Sequence, residues 1–189
     1  MLKRILVSTL IATSAMAASP VEFVSSIFQN AIESSFESQN LIDWKQGDTN
    51  TYDLDMGFIK GSMVQTVREV GADGIWMDQN MDLGFAGKQT ASQLIDPATG
   101  EIKKFIVNGK EEKIPEQGEQ EIVEVTEAKI TVPAGTFDCI FAKIKDKKSG
   151  DITQAWINPE QISVGGMIKI IQPSQFGEVK ISLKSFVKK

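Results

Sequence analysis

Between residues 41 and 187, turn signals recur about every eight to fifteen residues, a spacing that admits strands and leaves no room for long helices. Tyr52, Leu54, Met56 and Phe58 alternate with Asp53, Asp55 and Gly57, the period of a strand with one buried face. Ser62 to Val70 and Ile75 to Leu83 flank the turn Gly71-Ala-Asp-Gly74, and Ile75, Met77, Met81 and Leu83 share a face. Further hairpins are signalled at Asp96-Pro-Ala-Thr-Gly100 and Asn108-Gly109, before a polar loop from Pro115 to Glu121. Strands then fall at about 121–132, 137–145, 151–157, 164–171 and 179–187. Such punctuation predicts an antiparallel meander, and one sheet of this length must curl or close.

One helix stands apart from this pattern. Ser19-Pro-Val-Glu22 has the form of a capping box with proline at the first helical position. Phe23, Val24, Ile27, Phe28, Ala31, Ile32 and Phe36 then follow at three- and four-residue spacing, an amphipathic helix over about 20–38. Its polar face is acidic, which favours packing onto the protein's own sheet over a membrane surface. The expected fold is therefore mainly β (α+β): a curved antiparallel meander forming a half-barrel around an N-terminal amphipathic helix. In element order this is similar to the half-barrel of lipoprotein-carrier proteins.

Export is written at the N-terminus. Lys3 and Arg4 precede a short apolar run, Ile5 to Ala12, and Ala15-Met16-Ala17 has the small-x-small form of a cleavage site. That run is far below the ~20 residues of a spanning helix, so a signal peptide over 1–17 is read rather than an anchor. Residues 18–189 are expected to form one β-rich domain in the periplasm, or beyond it, of a bacterium. A net charge of −5 argues against nucleic acid, whose phosphates call for clustered Lys and Arg.

The stretch Val132-Pro-Ala-Gly-Thr-Phe-Asp-Cys139 reads as strand, tight turn, strand, with Gly135 supplying a positive φ. Together with Trp156 and Val164-Gly-Gly-Met-Ile-Lys169, it resembles the signature half of the TapB-like bacterial envelope proteins, over residues 120–187. Ile168 stands where their pattern has Val. The resemblance implies a fold and a compartment, and it brings no catalytic residue with it.

Chemistry is sparse. With no His, the usual Ser and Cys nucleophile arrangements and His-built zinc sites have no base or ligand. The single Cys cannot form an internal disulfide, and its place between Phe137 and Phe141 marks Cys139 as a small buried residue. Asp78-Gln-Asn80-Met-Asp82 opens like a calcium loop, but Leu83 and Gln89 occupy the positions of the required Gly and Glu. Alternation explains these residues better, as the wet face of a strand. No metal or cofactor is expected, and no enzyme activity.

A binding surface remains. Phe137 to Ala142 and Met167 to Ile171 carry apolar residues on both faces, as in strands covered on both sides or facing a cavity on one. Methionines suit an adaptable apolar lining, although they also serve as plain core filler. Tyr52, Met56, Trp76, Met77, Met81 and Trp156 are the candidate ligand-binding side chains, for an apolar molecule or a hydrophobic segment of an envelope protein. The alternative is a fully packed sheet that works through an exposed edge strand or its acidic surface.

Overall fold

The structure, a computed structural model, describes residues 43–114, 119–174 and 177–189. The expected signal peptide (1–17) and amphipathic helix (20–38) lie outside the described residues. Among the described residues, eleven strands form a single open sheet: β1 (Thr49–Met56), β2 (Ile59–Gly71), β3 (Gly74–Asp82), β4 (Lys88–Ile95), β5 (Ile102–Val107), β6 (Lys110–Glu112), β7 (Gln120–Val132), β8 (Gly135–Asp146), β9 (Ile152–Ile157), β10 (Met167–Ser174) and β11 (Gly177–Val187). Every pairing between these strands is antiparallel, and the spatial order is β6-β5-β4-β3-β2-β1-β11-β10-β9-β8-β7.

The order is a meander cut in one place and joined in another. The hairpins at Gly71↔Gly74 and Val132↔Gly135 follow their turn signals, whereas Phe58, expected on the buried face of a strand, lies 67% exposed in the turn between β1 and β2. The cut falls between β6 and β7, at the polar loop, and leaves those two strands as the sheet's edges. The join is β1 against β11, where Leu54 faces Ile181 and Tyr52 faces Leu183. All four side chains are buried. A bulge at Lys184 sends that residue outward to Asp53, 3.0 Å away, and returns Phe186 to the inward side opposite Asn50.

The far end of the β7–β8 hairpin leaves the plane of the sheet. Pairing between β8 and β9 stops at Ile140↔Ile157, so Gly135 to Cys139 run on without β9. This tip folds back onto β11: the Ala134 N–H donates to the Leu183 carbonyl at 3.1 Å, and Phe137 meets Phe186 edge-on at 6.1 Å. Burial accordingly changes phase along β8, from Phe137 and Cys139 to Ala142 and Ile144. The apolar residues on both parities of this stretch therefore record a change of covered face, an outcome that alternation alone could not distinguish from a two-sided core. In β10 the run has another cause. A bulge at Ile168 lets Met167 and Ile168 both turn inward.

The β9–β10 connection, residues 158–166, lies over the inward side of β1. Asn158 organises it, donating to Asp138 O at 2.8 Å and accepting from Gln161 N at 2.9 Å. Ile162 and Val164 are buried in the core cluster, and Ser163 O takes the Asn50 amide at 2.6 Å. Strand 164–171 is thus shorter than its sequence suggests, because Val164–Gly166 form a tight turn with φ of 52°, 80° and 68°. A positive φ at a β-branched residue is strained, by about 1–3 kcal/mol, and the burial of Val164 offsets it.

Cys139 is 8% exposed, with its thiol donating to Ala128 O at 3.5 Å. Burial, and secondarily the charge of Asp138, push the thiol pKa up. Alkylation of the folded protein by iodoacetamide is therefore expected to run at least about tenfold slower than that of a free thiol. Denaturant should restore the ordinary rate, and equal rates in both states would contradict a covered thiol.

Candidate functional site

The inward faces of β1 to β4 form the most distinctive surface of the molecule, and register alone assembles it. Directly opposed residues share a face, so Tyr52, Met63 and Met81 make one row across β1, β2 and β3. Val67, Met77 and Gln93 make another, across β2, β3 and β4. Met56 lies on the same side of β1, opposite Ile59. Of the six candidate residues, Tyr52, Met56, Met77 and Met81 are gathered here, all of them at most 2% exposed.

The two tryptophans are not. Trp76 is out of phase with Ile75 and Met77 and lies half-buried on the outward side, with the Arg68 guanidinium 4.7 Å above its ring. Trp156 is out of phase with Ala155 and Ile157. Its ring stacks at a tilt on Phe141 at 4.9 Å, with the Lys169 ammonium 5.6 Å away. It touches the margin of the core without joining the Tyr52–Met77 face. Alternation predicts this split. Trp76 and Met77 are neighbours in sequence and so cannot both point inward along an unbroken strand.

Tyr52 anchors the face. Its hydroxyl donates to Met167 O at 3.1 Å and accepts from Asn50 Nδ2 at 3.0 Å, linking β1 to the start of β10. Burial pushes its pKa well above the ordinary tyrosine range, so the hydroxyl stays protonated and available as a donor.

Alternation also carries a signal that a search for catalytic residues passes over. Gln65, Gln79, Gln89 and Gln93 occupy the inward parity, interleaved with Met63, Met77 and Met81. Gln65 and Gln79 are fully buried, and Gln93 is nearly so. A polar residue on the apolar beat of a strand was readable from the sequence. Whether it finds a partner was not.

The outward side is ordinary in its chemistry. Asp78 pairs with Arg68 at 3.0 Å and accepts from Ser92 Oγ at 2.7 Å, while Asp82 accepts the Gly84 N–H at 3.1 Å. Asp78, Asn80 and Asp82 thus lie along the outward face of β3. Among the described residues no group of three His, Cys, Asp or Glu is placed to hold a metal ion. Nor, among the described residues, is any helix long and apolar enough to cross a membrane.

No protein-family model and no curated protein matches the chain. Three solved structures are similar in shape. A protein classed as exported, with a YmcC-like fold, from Bacteroides fragilis is 12% identical, with 78% of this chain and 99% of that one covered and a TM-score of 0.40. A protein classed as a lipoprotein from Parabacteroides distasonis is 14% identical, with 77% and 97% covered and a TM-score of 0.41. MucB is 8% identical over 88% of this chain, with a TM-score of 0.46, and the match takes in 59% of MucB.

Proposed function

We propose that this chain is a non-enzymatic envelope protein that binds an apolar molecule, or a hydrophobic segment of an envelope protein, on the inward face of its sheet. The N-terminal signal read at 1–17 directs it across the inner membrane. One observation carries the reading. All five methionines beyond residue 17 (Met56, Met63, Met77, Met81 and Met167) belong to one core cluster, four of them on the contiguous strands β1 to β3. Thioether side chains are unbranched and polarisable, and a surface made of them can repack around guests of different shape. Tyr52, Met56, Met77 and Met81 are its proposed contacts, and Trp76 and Trp156 serve the outward side.

Native mass spectrometry of mature protein, purified from the periplasm without detergent, tests this directly. A bound mass of lipid size is expected, together with native-state fluorescence from the neutral dye N-phenylnaphthylamine. Met77→Asp should abolish the dye signal, whereas Trp156→Asp should keep most of it. A clean unliganded mass with no dye signal would refute the reading.

A second reading rests on a different observation. β7 is a thirteen-residue edge strand that exposes Ile122, Val123 and Val125 at 47%, 53% and 56%. Exposed apolar edges are where another chain adds a strand, and Glu121, Glu124 and Glu127 interrupt this one as charged edges generally do. Capture of an envelope protein by ligand-free protein, lost on Val123→Pro, would favour this reading over the first.

A further inference from the structure

The four inward glutamines are an expensive way to build a core. Gln65 and Gln79 face each other across β2 and β3. Gln79 in turn faces Ala91, and Gln89 and Gln93 flank that alanine on β4. The small Ala91 therefore stands among amides on one face, with neighbours about 5 Å apart across strands and about 7–8 Å on the diagonals. Nearby, comparable groups are satisfied: the Asn50 amide reaches both Tyr52 Oη and Ser163 O. Atoms of Gln65, Gln89 and Gln93 are not. Among the described residues, neither Nε2 nor Oε1 of the fully buried Gln65 meets a hydrogen-bond partner, nor does Nε2 of Gln93 or Oε1 of Gln89. Leaving such groups dry is costly, and replacing them with apolar residues would remove the cost.

The charge of the surroundings narrows what could complete them. No ionisable side chain occupies the inward parity of β2, β3 or β4; Lys60, Asp78, Asp82 and Lys88 all alternate outward. A carboxylate, phosphate or ammonium head would enter this face without a counter-charge. Gln65 is open as donor and as acceptor, so its complement must both accept and donate. A hydroxyl or a carboxamide does so.

We propose that Gln65, Gln79, Gln89 and Gln93 form a polar subsite that takes the uncharged hydroxyl or amide head of an acyl-chain ligand, while Met63, Met77 and Met81 take its chain. This rests on the ligand-binding reading above and names the class of ligand. The full chain, with N-phenylnaphthylamine bound, is titrated with monolaurin, methyl laurate and laurate, which share a chain and differ in the head. Monolaurin should displace the dye at roughly tenfold lower concentration than either of the others, about one good hydrogen bond's worth of discrimination. Gln65→Leu combined with Gln93→Leu should abolish that preference while leaving methyl laurate unchanged. The doubly substituted protein should unfold at the same temperature as the parent or higher. If the leucine pair does not fold, Gln65→Met with Gln93→Met replaces it.

Equal displacement by all three lipids, or a preference that survives the double substitution, would overturn the amide subsite and leave lipid binding intact. Displacement by none of the lipids, but by an apolar envelope-protein peptide, would overturn the lipid class. Failure of the dye itself to bind would remove both this subsite and the reading it rests on.

Discussion

Gly166→Ala is expected to destabilise the protein by about 3 kcal/mol or more, lowering its melting temperature by roughly 6–12 °C. Two independent causes act at this residue. Its φ is +68°, a left-handed conformation that costs a residue with a Cβ about 1–2 kcal/mol. A Cβ there would also stand 2.5 Å from both N and Cα of Pro159, and these are backbone atoms that cannot swing aside. The Gly166 carbonyl accepts the Asn158 N–H at 2.7 Å, so movement to relieve the clash would break the bond that closes the loop. Gly150→Ala is the matched control. Its φ is +80° with nothing within 4 Å of the added carbon, so it should cost only the conformational term, about 1–2 kcal/mol. Thermal unfolding of the two variants side by side measures the difference. Equal losses would mean that the close approach to Pro159 plays no part in holding 158–166 over the sheet.

Tyr52 is the second position where a large effect is expected, and two substitutions there separate its ring from its hydroxyl. Tyr52→Ala should cost about 3–5 kcal/mol, since the ring is fully buried between Met63 and Leu183 at the join of the two halves of the sheet. Against a typical total stability of about 5–15 kcal/mol, that brings the fold close to its limit. Tyr52→Phe keeps the packing and removes the hydroxyl. The Met167 carbonyl then loses its donor and the Asn50 amide one of its acceptors, at a cost of about 1–3 kcal/mol. Urea unfolding gives both numbers. A phenylalanine variant as stable as the parent would show that the hydroxyl contributes nothing to seating β10, and that burial of the ring alone matters here.

Both positions lie where local reading and long-range pairing meet. Gly135 and the turn around it were legible, because Pro133 and Gly135 restrict the backbone within a few residues, and the observed φ of +141° agrees. Gly166 was visible only as part of a Gly-Gly pair at the start of a strand. Its close contact depends on where Pro159 is carried by the loop, which no periodicity describes. Cys139 was legible as a buried side chain from its apolar neighbours, but the change of covered face just after it was not. That change needs the end of β9 to be known.

The candidate site divides in the same way. Alternation on β1 and β3 was enough to bring Tyr52 and Met56, and then Met77 and Met81, onto common faces. It also carried, unread, the glutamines on the same beat. The tryptophans were grouped with them on residue type, against the alternation that places Trp76 on the other side from Met77.

The sequence by itself determined most of the hairpin turns and the inward parity of β1 and β3, because side-chain alternation and turn chemistry act over a few residues. Only the tertiary structure decided that the meander is cut at β6–β7 and joined at β1–β11. Pairing such as Tyr52 with Leu183 is specified by the fit of two distant apolar faces, and neither strand records its partner in its own pattern. For the same reason, the amides of Gln65 and Gln93 came onto one face only once three strands stood side by side. Whether a buried polar group is satisfied is a property of its neighbours in space.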